Sequence, residues 1–79
     1  MYTAYLIVFN DIQARTIRSA GIYSEPSPTT AQGIQPICIA EIVSLRTYAE
    51  AEQSMRHWVR NSGALLKVRE LLRKDGYRV

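Results

Sequence analysis

Seventy-nine residues, 47% of them hydrophobic, carry a formal charge of +3, which allows one small core and excludes a second. The apolar fraction excludes a disordered chain, and a lone cysteine excludes an internal disulfide framework. The charge is uneven: up to Glu52 there are three cations and five anions, and from Gln53 onward seven cations and two anions. The expectation is a single domain over residues 1–79, one layer of helix on one layer of sheet. The opening residues lack the basic start of a signal peptide, and Leu6-Ile7-Val8-Phe9 is too short to span a bilayer. With Cys38 read as a small core hydrophobe, these features predict a soluble, cytoplasmic protein with no membrane contact.

Residues 2–9 are rich in aromatic and β-branched side chains and stop at the turn pair Asn10-Asp11, which predicts a central strand. Both alternating sets are largely apolar, Tyr2, Ala4, Leu6 and Val8 on one side, Tyr5, Ile7 and Phe9 on the other. A two-layer protein buries one such face under its helices and leaves the second as a candidate contact surface. For the next segment two readings stand: Asp11 caps a short helix from Ile12 to Ala20, or residues 15–24 form the second strand of a hairpin. The hairpin is preferred, because Thr16, Ile17, Ile22 and Tyr23 suit a strand and Ile12, Ala14 and Ile17 form no continuous helical stripe. Residues 25–36 hold Pro26, Pro28, Gly33 and Pro36, which predicts a long exposed loop.

Residues 37–45 form the third predicted strand. Strict alternation puts Ile37, Ile39, Glu41, Val43 and Leu45 on one face and Cys38, Ala40, Ile42 and Ser44 on the other. Glu41 is costly to bury unpaired, so its set faces outward and the Cys38 set lies under the helices. Thr47-x-x-Glu50 is a capping box that starts a helix at Tyr48. Tyr48, Ala51, Met55, Trp58 and Val59 gather on its apolar face, and Glu52 and Arg56 are spaced as an i,i+4 ion pair. A break at Asn61-Ser62-Gly63 leads to a second helix with the stripe Ala64, Leu65, Val68, Leu71 and Leu72. Lys67, Arg69, Glu70, Arg73 and Lys74 lie opposite, with Leu66 among them, and Gly76 ends the helix. Tyr77-Arg78-Val79 either adds a fourth, edge strand or frays. The fold class expected is therefore α+β: a three-stranded antiparallel sheet, four-stranded if the C-terminus pairs, with two amphipathic helices on one face in the order βββαα(β).

The chain is poor in catalytic constellations. A zinc site takes about three or four protein ligands, and the chain offers one Cys and one His. Cys38 reads as core and His57 as solvent-facing, which does not assemble a thiol–imidazole dyad. Glu50 and Glu52 point to different sides of one helix, and no glycine-rich phosphate loop is present. No catalytic residue, metal or cofactor is expected, and the protein is read as working by binding. Two helices joined at a short break also suggest a helix-turn-helix whose second helix brings Leu66, Lys67, Arg69, Arg73 and Lys74 to nucleic acid. A strand before two helices suggests a ribbon-helix-helix dimer, but a groove-reading ribbon exposes basic or amide side chains, and this one would expose Glu41 among apolar residues.

The order of elements, with Glu52-Gln53, Trp58-Val59 and Ser62-Gly63 in the helical half, resembles small phage-encoded anti-CRISPR proteins that inhibit type I CRISPR effector complexes. The resemblance covers mainly the C-terminal half. It implies a non-enzymatic inhibitor in the host-cell cytoplasm that docks on the crRNA-guided Cascade complex and obstructs target DNA. It also implies docking through the open sheet face, by tyrosines and a carboxylate. The positions that suit this part are Tyr5, Tyr23 and Glu41, with Arg18 nearby on the second strand. An apolar second sheet face is equally compatible with a monomer and a homodimer.

Overall fold

The computed structural model describes residues 1–74, apart from the side chains of Leu71 and Leu72. Its elements run β1 (Tyr2–Asp11), β2 (Thr16–Tyr23), β3 (Ile34–Ser44), α1 (Tyr48–Ser62) and α2 (Ala64–Lys74). The fold is α+β, with a three-stranded antiparallel sheet in the order β2-β1-β3 and two helices. The part of the helical stripe at Leu71 and Leu72, the helix end at Gly76 and the strand considered for Tyr77-Arg78-Val79 lie outside what is described.

β1 is central, as its two apolar faces require, and runs two residues further than the sequence suggests. Asn10, 1% exposed, belongs to the strand. The turn is made by Asp11, whose Oδ1 accepts from the Ala14 N–H at 2.9 Å and whose carbonyl accepts from the Arg15 N–H at 2.8 Å. An aspartate that bonds its own backbone beyond the strand closes the hairpin, with Arg15 in the left-handed region at φ 54. The hairpin thus replaces the helical alternative. β3 begins at Ile34, three residues earlier than expected, and contains Pro36. A proline is tolerated there because, among the described residues, β3 is an edge strand with one side free of ladder bonds.

Even-numbered residues of β1 face the helices. Ala4 and Leu6 form the buried core with Ala51 and Met55 of α1, and Ile22, Ile39, Ala40, Ile42, Tyr48, Val59 and Leu65 pack around it. α1 lies along the sheet, while α2 reaches this cluster through Leu65. Thr47 caps α1 as predicted, its Oγ1 accepting from the Glu50 N–H at 3.2 Å. The Glu50 carboxylate does not complete the box by turning back to Thr47: it accepts from Ser44 Oγ at 3.1 Å and sits 3.8 Å from Arg46. Glu52 and Arg56 form the predicted pair at 2.7 Å.

Gly63 is the joint of the helical layer. At φ 66 it ends α1 in the left-handed region, and its carbonyl accepts from the N–H groups of Leu66 and Lys67 that open α2. Gly63→Ala is expected to lower stability by about 1 kcal/mol through backbone strain alone, since a Cβ there meets nothing within 4 Å. Chemical denaturation measures it, and an unchanged midpoint would show that the joint relaxes.

Two β-bulges redirect side chains. Between β1 and β3, Leu6 pairs with Ala40 but Ile7 pairs with Cys38, so Ile39 is an extra residue. One inserted residue inverts the faces of everything before it. Ala40, Ile42 and Ser44 lie under the helices and Glu41 and Val43 face away, as alternation predicts. Ile37 and Ile39, expected outside, are half-buried, and Ile39 packs on the core. Cys38, expected in the core, is exposed on the other face. The second bulge lies opposite Phe9 and Asn10, which pair with Ser19 and Ile17 and leave Arg18 as the extra residue.

Candidate docking surface

The sheet face turned away from the helices is divided in two by the chain's own loop. β2 ends beside Tyr5 on one edge, and β3 starts beside Asp11 on the opposite edge and at the opposite end. Residues 24–33 must therefore cross the sheet diagonally, and the helices occupy the other face. The crossing accounts for the burial of Ile7 and Phe9, which belong to this face yet are 0% and 8% exposed. Pro28 and Thr30 of the loop are half-buried, and the loop is tied down where Thr30 Oγ1 donates to the Ile34 carbonyl at 2.6 Å and the Ile12 N–H donates to the Gly33 carbonyl at 3.0 Å. The long exposed loop of the sequence reading is partly a cover.

Below the cover, register aligns three of the expected residues. Tyr5 pairs directly with Tyr23 on one side and with Glu41 on the other. Strand spacing makes this row Tyr23–Tyr5–Glu41 about 10 Å wide. Tyr5 is half-buried, Tyr23 and Glu41 are exposed, and Val43, one position along from Glu41, extends the row with 49% exposure. Val43 is not among the site residues the sequence points to, although alternation sets it on the same outward face as Glu41. The row offers two hydroxylated rings, an aliphatic patch and one carboxylate, the composition of an anchor for a protein surface.

Tyr23 is held from below. Its ring meets Phe9 edge-on, with centroids 5.4 Å apart and planes at 83°, an arrangement that favours aromatic pairs. To reach Phe9 it lies over Gly21, where an added Cβ would stand 2.9 Å from Tyr23 Cε2. Tyr23 thus packs diagonally across its own strand. Gly21→Ala is expected to push the ring off Phe9, and loss of the ring-current shift on the Phe9 protons in an NMR spectrum would report it. An unshifted Phe9 would mean that the backbone yields instead.

Arg18 does not join the row. As the bulged residue of β2 it lines a cleft on the helix side with Leu65, Val68 and Arg69, and it lies 3.7 Å from the Asp11 carboxylate. Alternation from Tyr23 already sets Arg18 with Ala20 and Ile22 on the helix side, and the bulge brings Ile17 to that side as well. On α2, Leu66 is 65% exposed and Lys67, Arg69, Arg73 and Lys74 are exposed. At about 100° per residue Lys67 and Lys74 flank one side of the apolar stripe and Arg69 and Arg73 the other. Lys67 lines a small cleft with Ile39 and Trp58. Trp58 itself, expected on the apolar face of α1, is 38% exposed. His57 is solvent-facing as predicted, with Asn61 Nδ2 3.0 Å from its ring.

The one resolved titration shift lies away from the row. The Tyr48 phenol is raised above its ordinary value by burial first and by the Glu52 carboxylate second, against an opposing contribution from Arg56. Its folded form holds the proton more tightly than the unfolded chain does. Stability from this group is therefore present below the ordinary tyrosine range and lost as pH rises from that range through the raised folded value. Tyr48→Phe is expected to flatten the alkaline limb of stability against pH, and an unchanged limb would assign it to other groups.

Among the described residues no group of three or more His, Cys, Asp or Glu could hold a metal ion, and no helix is long and apolar enough to cross a membrane. Fold and surface together define a small α+β protein with an aromatic and acidic row on one face and cations around its second helix. Comparison of the chain with protein-family models, curated proteins and solved structures finds no match in any of the three.

Proposed function

We propose that the protein is a non-enzymatic inhibitor that docks on another protein through the row Tyr23–Tyr5–Glu41, extended by Val43. The observation that carries this reading is the register that lines up two tyrosines and a carboxylate on the part of the sheet left bare by both the helices and the loop. Rigid aromatic side chains on a sheet bury area at a low entropic cost, which is why such residues dominate binding energy at interfaces. The resemblance to anti-CRISPR proteins supplies the class of partner: a crRNA-guided type I Cascade complex in the host cytoplasm, where the bound inhibitor obstructs target DNA. A net charge of +3 argues against mimicry of DNA by the whole molecule, which calls for a strongly acidic surface.

A second reading uses the exposed cations of α2 on nucleic acid, and the exposure of Leu66, Lys67, Arg69, Arg73 and Lys74 favours it. Titration of labelled random duplex DNA at low and moderate salt separates the two. Phosphate contacts weaken binding steeply with salt, with about one unit of logarithmic slope per contact. The docking reading expects weak binding with a shallow slope. Tight binding with a steep slope that is lost in Lys67→Glu/Arg69→Glu would overturn it.

A further inference from the structure

A groove runs on the helix side between the edge strand β2 and the two helices. It consists of two adjoining clefts of about 230 and 390 Å³ that share Ala20 and Leu65 in their walls. The floor is apolar: Val8, Leu65 and Val68 in the first cleft, Leu6, Ile22 and Val59 in the second. The rim is cationic, with Arg18 and Arg69 beside the first cleft and Arg56 and Arg60 beside the second. The four arginines come from three different elements, so no single helix face explains their convergence.

Two of the four have carboxylate neighbours in the fold, Arg18 with Asp11 at 3.7 Å and Arg56 with Glu52 at 2.7 Å. Among the described residues Arg60 and Arg69 belong to no ion pair. A guanidinium presents a planar fork of donors matched to carboxylates. The first cleft lies below the usual range of enclosed small-molecule sites, about 300–1,000 Å³, and the second near its lower end; two open clefts in a row suit side chains laid in from a longer segment. Among the described residues no aromatic side chain lines either cleft, so they supply no stacking platform of the kind with which proteins hold single-stranded nucleic acid.

From the apolar floor and the arginine rim we infer that this groove docks an acidic amphipathic helix of a protein partner. Apolar side chains from successive turns enter the two clefts, and glutamate or aspartate residues along the helix flanks meet Arg60 and Arg69. The surface lies on the opposite side of the sheet from the Tyr23–Tyr5–Glu41 row, so the two interfaces are independent and can be occupied together.

The test uses fluorescence anisotropy of the full chain with a labelled peptide of about 16 residues carrying leucines at i, i+3, i+4 and i+7 and glutamates between them. Two further probes are the same peptide with glutamine for glutamate and a single-stranded DNA oligonucleotide of matched charge. Saturable binding of the acidic peptide is expected, weakened about tenfold or more by the glutamine exchange and by Arg60→Glu/Arg69→Glu. Lys67→Glu/Lys74→Glu, on the other flank of α2, is expected to leave it within about twofold. Circular dichroism confirms that both charge-reversed chains fold. Absence of saturable binding, equal binding of the glutamine peptide or the DNA, or equal loss in the two reversed chains would each overturn the inference.

Discussion

Ile7→Ala is expected to cost about 2–5 kcal/mol of unfolding free energy, the range of a fully buried aliphatic residue. Met55→Ala, in the core beneath α1, is expected to cost a similar amount, since both side chains are 0% exposed. The two residues lie on opposite faces of the sheet. An isoleucine on an open sheet face loses little when truncated, because its methyl groups already touch water. Here the loop of residues 24–33 seals that half of the face, so truncation opens a cavity that the strand and the loop cannot both close. Equilibrium denaturation of the two variants checks it. A loss below about 1 kcal/mol at Ile7 with the full loss at Met55 would mean that the loop stands off the sheet.

Tyr5→Ala carries the largest expected effect on binding, about 2 kcal/mol or more, a loss of roughly thirtyfold in affinity for the partner complex. Tyr5 is the centre of the row, flanked on both sides, and only such central, desolvated positions act as anchors. Glu41, at the exposed end, is expected to contribute less. Arg18→Ala is expected to leave this affinity unchanged, because Arg18 lies with Ala20 on the helix side of β2. Titration of a purified crRNA-guided type I complex with the three variants distinguishes the positions. Equal small losses at all three would replace an anchored interface with diffuse electrostatics, and a large loss at Arg18 alone would move the interface to the groove.

What could be read from the chain was whatever depends on local pattern. The β-rich run of β1, the Thr47 cap, the Glu52–Arg56 pair and the Gly63 joint are each decided by residues within one turn or one strand. Alternation set Glu41 on the outward face, and the resemblance grouped it with Tyr5 and Tyr23; the three fall in one row because they lie on the regular side of both bulges. The bulges themselves have no signature in composition. Inserting Ile39 and Arg18 into the ladders depends on pairing with β1, a long-range contact, and each insertion inverts the residues beyond it. Cys38 was misplaced for that reason, whereas Arg18 stands off the row simply because it alternates with Tyr23 along β2. The loop was legible as a loop from its prolines, but its course over Ile7 and Phe9 follows from strand order, which no local pattern encodes. The arginine-rimmed groove was illegible for the same cause, since its rim assembles from β2, α1 and α2.

The docking surface is tested most directly by oxidative footprinting of the chain, alone and bound to a purified crRNA-guided type I complex. Tyr23 and Val43 are 38% and 49% exposed in the free chain, and Leu66 on α2 is 65% exposed, so all three are open to labelling. Labelling at Tyr23 and Val43 is predicted to fall on binding while Leu66 is modified as before. Protection of Leu66 with Tyr23 and Val43 unchanged would contradict the placement of the docking surface on the sheet.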